Sequence, residues 1–559
     1  MCCCAFNGRR WRDSGGGGVP LRGLVGSANH CVRNKESVIA QLLKPMADRK
    51  GAELALADEH GETTWTAFNE RVNRFINALR SRGLRTGDTI ALMSGNRREF
   101  FEVTAAAMHS GLVIVPINWH WVASELAYVI ADSDAAALVV EGRYASLAVE
   151  ARNDSQTAQC RSWIAIDDAA PDGFETYESV LDGADVGEPA DQTSGGPMFY
   201  TSGTTGFPKG VRSALTQTGH DPALISLISQ SATDMLGIPT DGVTLLEGPA
   251  YHSAQWVLSI FPLVGAASTI VMREKFDAAE TLELIDRYGV TNVHFVPTQF
   301  IRILKLADDV RARFNGSSLK LALHGAAPCS IEVKQRMLDW WGSSVTEYYG
   351  GTEGGFLTII SGAEWLERPG SLGQPTAMTE LMIVDDDGQP CPVGVAGQIY
   401  FKNKMGSDFS YHKAPEKTEA AHLAPGVGTL GDIGYIDDAG YLFMSDRKID
   451  MIISGGVNIY PAEIEGVLVG HPAIVDAAVF GIPDDEMGEQ VKAAVEIADG
   501  YAPDDALAAE LIAFVRASLA GYKAPKSIDF VATLPRHPTG KLYKRLLRDP
   551  YWEGSGRSI

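Results

Sequence analysis

Cysteine is scarce in this sequence, with 7 residues in a chain of 559. An odd number this small excludes a framework of disulfide bonds, so Cys160, Cys329 and Cys391 are expected to be reduced residues of a cytoplasmic protein. Positive charge is also in deficit, because 48 lysines and arginines face 70 acidic residues and leave a net charge of −22. Since nucleic-acid binding needs clustered positive charge, we expect no nucleic-acid partner.

The sequence also lacks a long uninterrupted apolar run. A stretch of 25 residues between Glu247 and Arg273 contains no lysine, arginine, aspartate or glutamate, and this length could cross a bilayer. Two prolines and a glycine interrupt it, so we predict a buried helix at about 254–262 and a buried strand at 268–272. No transmembrane segment is expected.

Residues 1–33 show neither a hydrophobic period nor an apolar signal core. They contain three adjacent cysteines, several arginines and four consecutive glycines, Gly15 to Gly18. Because glycine disfavours helix formation, we predict a flexible or non-native extension. Acylation of the adjacent cysteines is the alternative.

Short apolar strands alternate with amphipathic helices from residue 34 onward. The apolar segment 89–93, for example, precedes a helical pattern at 100–110. This alternation predicts an α/β fold with parallel sheets covered by helices on both faces. After Leu381 the segments shorten, and hairpin signals such as Asp386-Asp387-Gly388 predict a small β-rich subdomain.

The alternation of strands and helices returns in the last 110 residues. We therefore predict a large N-terminal domain at 34–446, built from parallel-sheet subdomains and the β-rich subdomain. A hinge at 447–449 and a small, mobile α/β C-terminal domain at 450–559 complete the predicted organisation.

The most informative segment follows the predicted strand at 198–201. It reads Thr201-Ser202-Gly203-Thr204-Thr205-Gly206-Phe207-Pro208-Lys209-Gly210. Backbone N–H groups, hydroxyls and a cation in one loop suit a polyphosphate. The loop is not a Walker A motif, in which glycine directly precedes lysine and Ser or Thr follows.

This segment resembles the signature of the adenylate-forming superfamily of acyl-CoA synthetases, adenylation domains and luciferases. Other motifs of that superfamily follow in the expected order over residues 37–548. They are Tyr348-Tyr349-Gly350-Gly351-Thr352-Glu353, Gly370-Ser371-Leu372-Gly373-Gln374-Pro375, Gly431-Asp432-Ile433-Gly434, residues 446–456 and Pro538-Thr539-Gly540-Lys541.

The resemblance implies a site for ATP and Mg²⁺. The implied nucleotide-binding and coenzyme-binding residues are Thr201, Ser202, Gly203, Thr204, Thr205, Gly206, Lys209, Gly325, Ala326, Tyr348, Tyr349, Gly350, Asp432, Arg447, Gly455 and Gly456. Glu353 would hold the metal with help from Thr201, and Thr352 would contact the α-phosphate. This fits the preference of hard cations for carboxylate oxygens.

The remaining nucleotide contacts are also implied by the resemblance. Adenine would lie against Gly325 and Ala326, with Tyr348 or Tyr349 stacking on its face. Asp432 would bind both ribose hydroxyls, which a carboxylate can do bidentately. Arg447 would contact ribose and phosphate.

Lys541 is the strongest candidate for a catalytic residue. Charge builds up on the α-phosphate when a carboxylate attacks ATP, and a preorganised cation lowers that barrier. The resemblance implies that the small domain rotates between two orientations, with the pivot at Ile449. Gly455 and Gly456 would then line a narrow channel for coenzyme A.

The acid-binding pocket is predicted near residues 251–256. His252 is interpreted either as a catalytic gate beside the substrate carboxylate or as a helix-cap or core histidine. The expected lining is apolar and comprises Trp256, Val257, Phe300 and Phe356. An apolar lining favours a hydrophobic acid over an amino acid, whose ammonium group would need a buried acidic partner.

The resemblance therefore implies an AMP-forming acyl-CoA ligase of fatty-acid or lipid metabolism, with a fatty or bulky alicyclic acid as its substrate. The alternatives are a ligase that passes the acyl group to a carrier protein, a luciferase-like oxygenase, and a non-catalytic acyl-nucleotide binding protein. The implied partners are the acid, ATP and coenzyme A. A homodimer is left open.

Overall fold

The computed structural model describes residues 42–167, 169–201, 208–447, 450–454, 457–484, 487–536 and 542–553. Residues Ala40–Ile559 cluster as one structural unit. The strands, numbered in chain order, are β1 (Leu54–Asp58), β2 (Gly61–Thr64), β3 (Thr89–Met93), β4 (Val113–Pro116), β5 (Ala135–Glu141), β6 (Ser162–Ile166), β7 (Glu175–Thr176), β8 (Gly196–Pro197), β9 (Phe199–Thr201), β10 (Lys209–Arg212), β11 (Val243–Leu246), β12 (Thr269–Met272), β13 (Asn292–Phe295), β14 (Leu321–His324), β15 (Val345–Gly351), β16 (Gly355–Ser361), β17 (Gln374–Pro375), β18 (Thr379–Val384), β19 (Gly397–Asn403), β20 (Ser410–Tyr411), β21 (His422–Ala424), β22 (Val427–Ile436), β23 (Leu442–Arg447), β24 (Ile452–Ser454), β25 (Val457–Ile459), β26 (Ile474–Asp484), β27 (Gly488–Ile497) and β28 (Ser527–Phe530).

The α-helices pack on these strands or connect them. In chain order they are α1 (Lys44–Lys50), α2 (Trp65–Ser81), α3 (Arg98–His109), α4 (Ala123–Asp132), α5 (Ala145–Arg152), α6 (Tyr177–Leu181), α7 (Ala223–Leu236), α8 (Ser253–Gly265), α9 (Ala278–Tyr288), α10 (Pro297–Leu304), α11 (Asp308–Arg313), α12 (Ile331–Trp341), α13 (Gly362–Glu367), α14 (Pro415–Ala420), α15 (Pro461–Val469), α16 (Asp505–Ser518) and α17 (Lys544–Trp552). Within the described residues, none of them is both long enough and apolar enough to cross a bilayer.

A six-stranded parallel sheet has the order β7-β6-β5-β3-β4-β8. Every residue of β3 is buried. Ile90 and Leu92 pack with helices on one face, and Ala91 and Met93 pack with helices on the other. Burial on both faces explains why such strands read as continuous apolar runs.

The nine-stranded sheet has the order β17-β16-β15-β14-β13-β11-β12-β1-β2. Its six strands from β15 to β1 are parallel. Strand β2 pairs antiparallel with β1 at one end, and at the other end β16 pairs antiparallel with both β15 and β17. The parallel run therefore ends at β15, the strand that carries Tyr348 and Tyr349.

Two smaller antiparallel sheets complete the region before residue 450. One has the order β18-β19-β22-β21, with β23 added on β22, and buries Ile383, Ile399 and Phe401. The other contains β20, β10 and β9. In this second sheet β10 pairs with β20, so Val211 lies opposite Tyr411.

A separate core lies beyond residue 450. Strands β25, β24, β27 and β26 form an antiparallel sheet, and β28 adds to β27 in parallel. Helices α15 and α16 pack over it and bury Ile464 and Leu511.

The predicted fold class is confirmed. Helix α8 and strand β12 also lie where the apolar stretch before Arg273 predicted a buried helix and strand. The sequence did not predict that β20 adds to β9 and β10, because those segments are far apart in the chain.

Candidate functional site

The predicted phosphate loop is held by an antiparallel pair of strands. Thr201 at the end of β9 lies opposite Lys209 at the start of β10, so the loop leaves and returns at one point. Ser202, Gly203, Thr204, Thr205 and Gly206 lie outside the described residues. The structure thus places the two ends of the loop and leaves its middle as a prediction.

Tyr411 of β20 contacts both a cation and a carboxylate of the predicted site. The Lys209 Nζ atom lies 4.9 Å from the centre of the Tyr411 ring, within cation–π range. The Tyr411 hydroxyl donates a hydrogen bond of 3.0 Å to Glu353 Oε1. Tyr411 was not among the residues predicted from the sequence.

The pKa values of Lys209 and Tyr411 respond to the charges around them. Burial lowers the pKa of the Lys209 ammonium, nearby Lys417 lowers it further, and the Glu353 carboxylate raises it. Burial and then the charge of Glu353 raise the pKa of Tyr411, so its hydroxyl stays protonated and remains a donor. The charges of Lys417 and Glu353 therefore both act on Lys209 at the end of the loop.

The residue before Glu353 connects the motif to the start of α8. The Thr352 and Ser253 hydroxyl oxygens are 2.8 Å apart. His252 is the N-cap residue of α8 and makes no side-chain capping hydrogen bond. Its ring lies 4.6 Å from that of Tyr251, which in turn meets Trp119 edge to face. The helix-cap position is therefore observed, whereas the gate role stays a prediction.

Tyr348 and Tyr349 point to opposite faces of β15, as neighbours on a strand must. The Tyr349 hydroxyl donates a 2.8 Å hydrogen bond to Asp432 Oδ2. Tyr348 Oη lies 3.2 Å from His294 Nε2, and His294 Nδ1 lies 2.8 Å from Gln255 Nε2. Of the two tyrosines, Tyr349 therefore contacts the aspartate that was predicted to bind ribose.

His294 is neutral in this chain of hydrogen bonds. Burial lowers its pKa to about 3. One ring nitrogen therefore accepts a hydrogen bond, and the other, which carries the hydrogen, donates one.

The segment after β14 is tightly constrained. A Cβ on Gly325 would lie 2.6 Å from the Tyr348 ring, so only glycine fits there. The next residue, Ala326, has a φ of 63°, a left-handed conformation that is uncommon for a residue with a side chain. These two residues form a small-residue edge beside β15.

A buried ion pair lies on the opposite face of the same strands. Lys334 of α12 donates to Glu347, and both side chains are almost fully buried. His324 Nε2 is 3.8 Å from the same carboxylate. Burial, and then the charge of Lys334, lower the pKa of His324, so it is a neutral histidine of the core.

The single carboxylate of Glu353 suits Mg²⁺ better than a metal that must be coordinated by several protein side chains. Glu353 offers one carboxylate, and the described part of the chain contains no group of three histidine, cysteine or acidic side chains that could hold a metal. Mg²⁺ is commonly bound through one or two carboxylates together with substrate phosphates and water. The residues present therefore fit that ion.

One predicted lining residue does not belong to the predicted acid pocket. Phe300 is fully buried against Phe295 and Trp341, in the core on the face that carries His324. Phe356, in contrast, meets Tyr348 edge to face at 4.9 Å. The prediction for Phe300 is wrong because its helix α10 packs on the other side of the sheet.

Several predicted residues cannot be placed. Lys541, Gly455, Gly456 and the pivot Ile449 lie outside the described residues. The backbone of Arg447 pairs with Asp432 across β23 and β22, but its side chain lies outside what is described.

Comparison with known proteins identifies the family. The family model for AMP-binding enzymes matches residues 43–406, and the model for the AMP-binding enzyme C-terminal domain matches residues 463–541. Feruloyl-CoA synthase of an Amycolatopsis species is 34% identical over 501 residues, which cover 88% of this chain and 95% of that protein. The fatty acid–[acyl-carrier-protein] ligase ScoC of Streptomyces coeruleorubidus is 30% identical over 504 residues, covering 89% and 93%.

A solved structure is similar over the same extent. The o-succinylbenzoate CoA synthetase of Bacillus subtilis, in complex with its acyl-adenylate intermediate, has a TM-score of 0.76 at 26% identity, covering 91% of this chain and 98% of that chain. The chain described here therefore belongs to the AMP-binding enzyme family and is an acid–thiol ligase of the adenylate-forming, acyl-CoA ligase type.

Proposed function

We propose that this protein is an ATP-dependent acyl-CoA synthetase that activates a hydrophobic carboxylic acid. The acid first reacts with ATP to give an acyl-adenylate and pyrophosphate. Coenzyme A then displaces AMP and forms the acyl thioester. ATP follows from membership of the family, whereas coenzyme A as the accepting thiol, the acid and the residue roles are parts of the proposal.

The convergence of two hydrogen-bonded pairs supports this proposal most directly. Tyr349 and Asp432 form one pair, and Tyr411 and Glu353 form the other, with Lys209 over the Tyr411 ring. The first pair suits a ribose and the second suits metal-bound phosphates. Strand β15 ends at Gly351, two residues after Tyr349 and two residues before Glu353. Both pairs therefore lie at the same end of β15.

In the first half-reaction an oxygen of the acid carboxylate attacks the α-phosphorus, and the bond to pyrophosphate breaks. Lys209 and the loop hydroxyls would bind the phosphates, Thr352 would contact the α-phosphate, and Asp432 would hold the ribose. Lys541 would balance the charge that develops on the α-phosphate. Mg²⁺ bound at Glu353 would supply neutralisation of phosphate charge.

In the second half-reaction the thiolate of coenzyme A attacks the acyl carbonyl carbon, and AMP leaves with the bonding electron pair. Gly455 and Gly456 would leave room for the pantetheine arm, since neither has a side chain. His252 would act at the carboxyl end of the acid, next to the Thr352–Ser253 contact.

The proposed acid is hydrophobic because apolar side chains dominate the face of the sheet that carries Tyr348. They include Leu236, Leu258, Leu323 and Phe356. The polar groups there include Gln255 and His294, which are neutral. A neutral, apolar wall favours a fatty, alicyclic or aromatic monocarboxylic acid over a free amino acid.

Transfer to a carrier protein is the second candidate. The similarity to a fatty acid–[acyl-carrier-protein] ligase over 89% of this chain favours it. Both candidates share the first half-reaction and differ only in the thiol that accepts the acyl group.

The test measures pyrophosphate release over a panel of acids, without thiol, with coenzyme A, and with a phosphopantetheinylated carrier protein. We expect hydrophobic acids to be used better than acetate or free amino acids, and acyl-CoA and AMP to form together. Acyl transfer to the carrier alone would replace the synthetase by the second candidate. If none of the acids in the panel led to pyrophosphate release, both candidates would be refuted.

A further inference from the structure

Tyr411 lies at the meeting point of the two charges that the proposed function needs. Its hydroxyl donates to Glu353, and its ring lies under the ammonium of Lys209. A single side chain thus contacts both the carboxylate assigned to the metal and the cation assigned to the phosphates.

The backbone holds Tyr411 in place from two sides. Its N–H donates a 2.9 Å hydrogen bond to Thr418 Oγ1 in the following helix, α14. The N–H of the next residue, His412, donates a 2.7 Å hydrogen bond to the carbonyl of Gly210 in β10. Because β10 also carries Lys209, the ring and the ammonium are fixed by the same strand pairing.

We propose that Tyr411 is a positioning residue, which orients the Glu353 carboxylate toward the metal and holds the Lys209 ammonium toward the phosphates. This inference rests on the proposed function. The hydroxyl fixes one carboxylate oxygen and therefore the direction of the other. The aromatic face stabilises the ammonium and leaves its positive charge available to the phosphates, whereas a carboxylate partner would neutralise that charge.

The two contacts can be separated by substitution. Tyr411→Phe removes the hydroxyl and keeps the ring, so only the Glu353 contact is lost. Tyr411→Leu removes both. Tyr200→Phe is a matched control, because Tyr200 lies in the same three-stranded sheet and its hydroxyl donates a 2.6 Å hydrogen bond to a different carboxylate, Asp132.

The primary readout is equilibrium binding rather than turnover. Binding of Mn²⁺, as a spectroscopic substitute for Mg²⁺, is measured by electron paramagnetic resonance with α,β-methylene ATP, which cannot transfer its AMP group because a methylene replaces the oxygen that would leave with pyrophosphate. Binding of the same nucleotide without metal is measured by calorimetry. We expect Tyr411→Phe to weaken Mn²⁺ binding about tenfold, the effect of losing one hydrogen bond to a charged group, and to leave metal-free nucleotide binding unchanged.

Tyr411→Leu should weaken both binding events, and Tyr200→Phe should weaken neither. Thermal unfolding of each variant shows whether the fold is retained, and the Phe variant, which is nearly isosteric, decides if the Leu variant unfolds. If Tyr411→Phe binds Mn²⁺ as the wild type does, the positioning role is refuted while the proposed function stands. If the wild type binds no nucleotide, both are refuted.

Discussion

The adjacent tyrosines of β15 give a sharp prediction about the nucleotide pocket. Tyr349→Phe removes the hydroxyl that donates to Asp432 and keeps the ring that was predicted to stack on adenine. Tyr348→Phe removes a hydroxyl that faces His294 on the other side of the sheet. We expect only the first substitution to raise the KM for ATP.

The size of the effect follows from the contact. A hydrogen bond to a charged acceptor contributes about 1.5–3 kcal/mol. Asp432 is only 3% exposed and takes part in a further interaction, so we use the lower end of that range. About 1.5 kcal/mol corresponds to roughly a tenfold increase in the KM for ATP. The KM for the acid should not change, because Tyr349 faces away from the apolar wall.

Pyrophosphate exchange, with ATP and acid varied separately, provides the measurement. Direct titration with AMP checks that the change lies in nucleotide binding. Equal effects of Tyr348→Phe and Tyr349→Phe on ATP would contradict the division of the two faces. An unchanged KM for ATP in Tyr349→Phe would contradict the assignment of Asp432 to the nucleotide.

Three further predictions concern charge. Lys334→Met should destabilise the large domain by about 3–5 kcal/mol, because it leaves Glu347 buried without a partner. Burial already raises the pKa of Glu347 above 4.5, so the folded variant must keep this carboxyl protonated. The unfolded chain ionises more readily, and denaturant melts should therefore show the stability of the variant falling as the pH rises above 4.5. Adding Glu347→Gln should restore most of the lost stability. Glu353→Gln should raise the Mg²⁺ requirement in a magnesium titration without unfolding the protein, and an unchanged requirement would exclude Glu353 as the metal ligand. Lys541→Ala should slow pyrophosphate exchange by roughly 10²–10³ yet still convert supplied acyl-adenylate to acyl-CoA. Gly456→Leu should retain pyrophosphate exchange and lose the conversion of acyl-adenylate to acyl-CoA. Equal loss of both half-reactions in Lys541→Ala would contradict the two-orientation mechanism.

The fold class could be predicted because both parallel sheets are buried on two faces. Strands such as β3 are then almost entirely apolar, with Thr89 as the one polar residue of that strand, and their alternation with helices is visible in the sequence. The resemblance to the adenylate-forming superfamily is confirmed by the matches to AMP-binding enzymes over residues 43–406, which include Lys209 and Glu353, and to their C-terminal domain over residues 463–541.

Contacts between distant segments could not be predicted in the same way. The sequence left open whether Tyr348 or Tyr349 would stack on adenine. The structure shows that Tyr349 contacts Asp432, which depends on the register of β15 against its neighbours. Tyr411 carries no local signal, because its partners come from other strands. Phe300 was misplaced because an apolar residue on a helix reads alike whichever side of a sheet it covers.

The sheet formed by β9, β10 and β20 affects the order in which parts of the protein fold during synthesis. Its third strand lies about 200 residues after the first two, as the Arg212–His412 contact shows. A nascent chain that has emerged only as far as β10 contains the whole phosphate loop but neither Tyr411 nor the strand that supports Lys209. Because pairing between distant segments must wait for synthesis of the later one, affinity for ATP should arise late in translation, after the parallel sheets have formed. Until β20 arrives, one edge of the loop hairpin is exposed, and ribosome-bound intermediates of that length are the ones that a chaperone would need to protect.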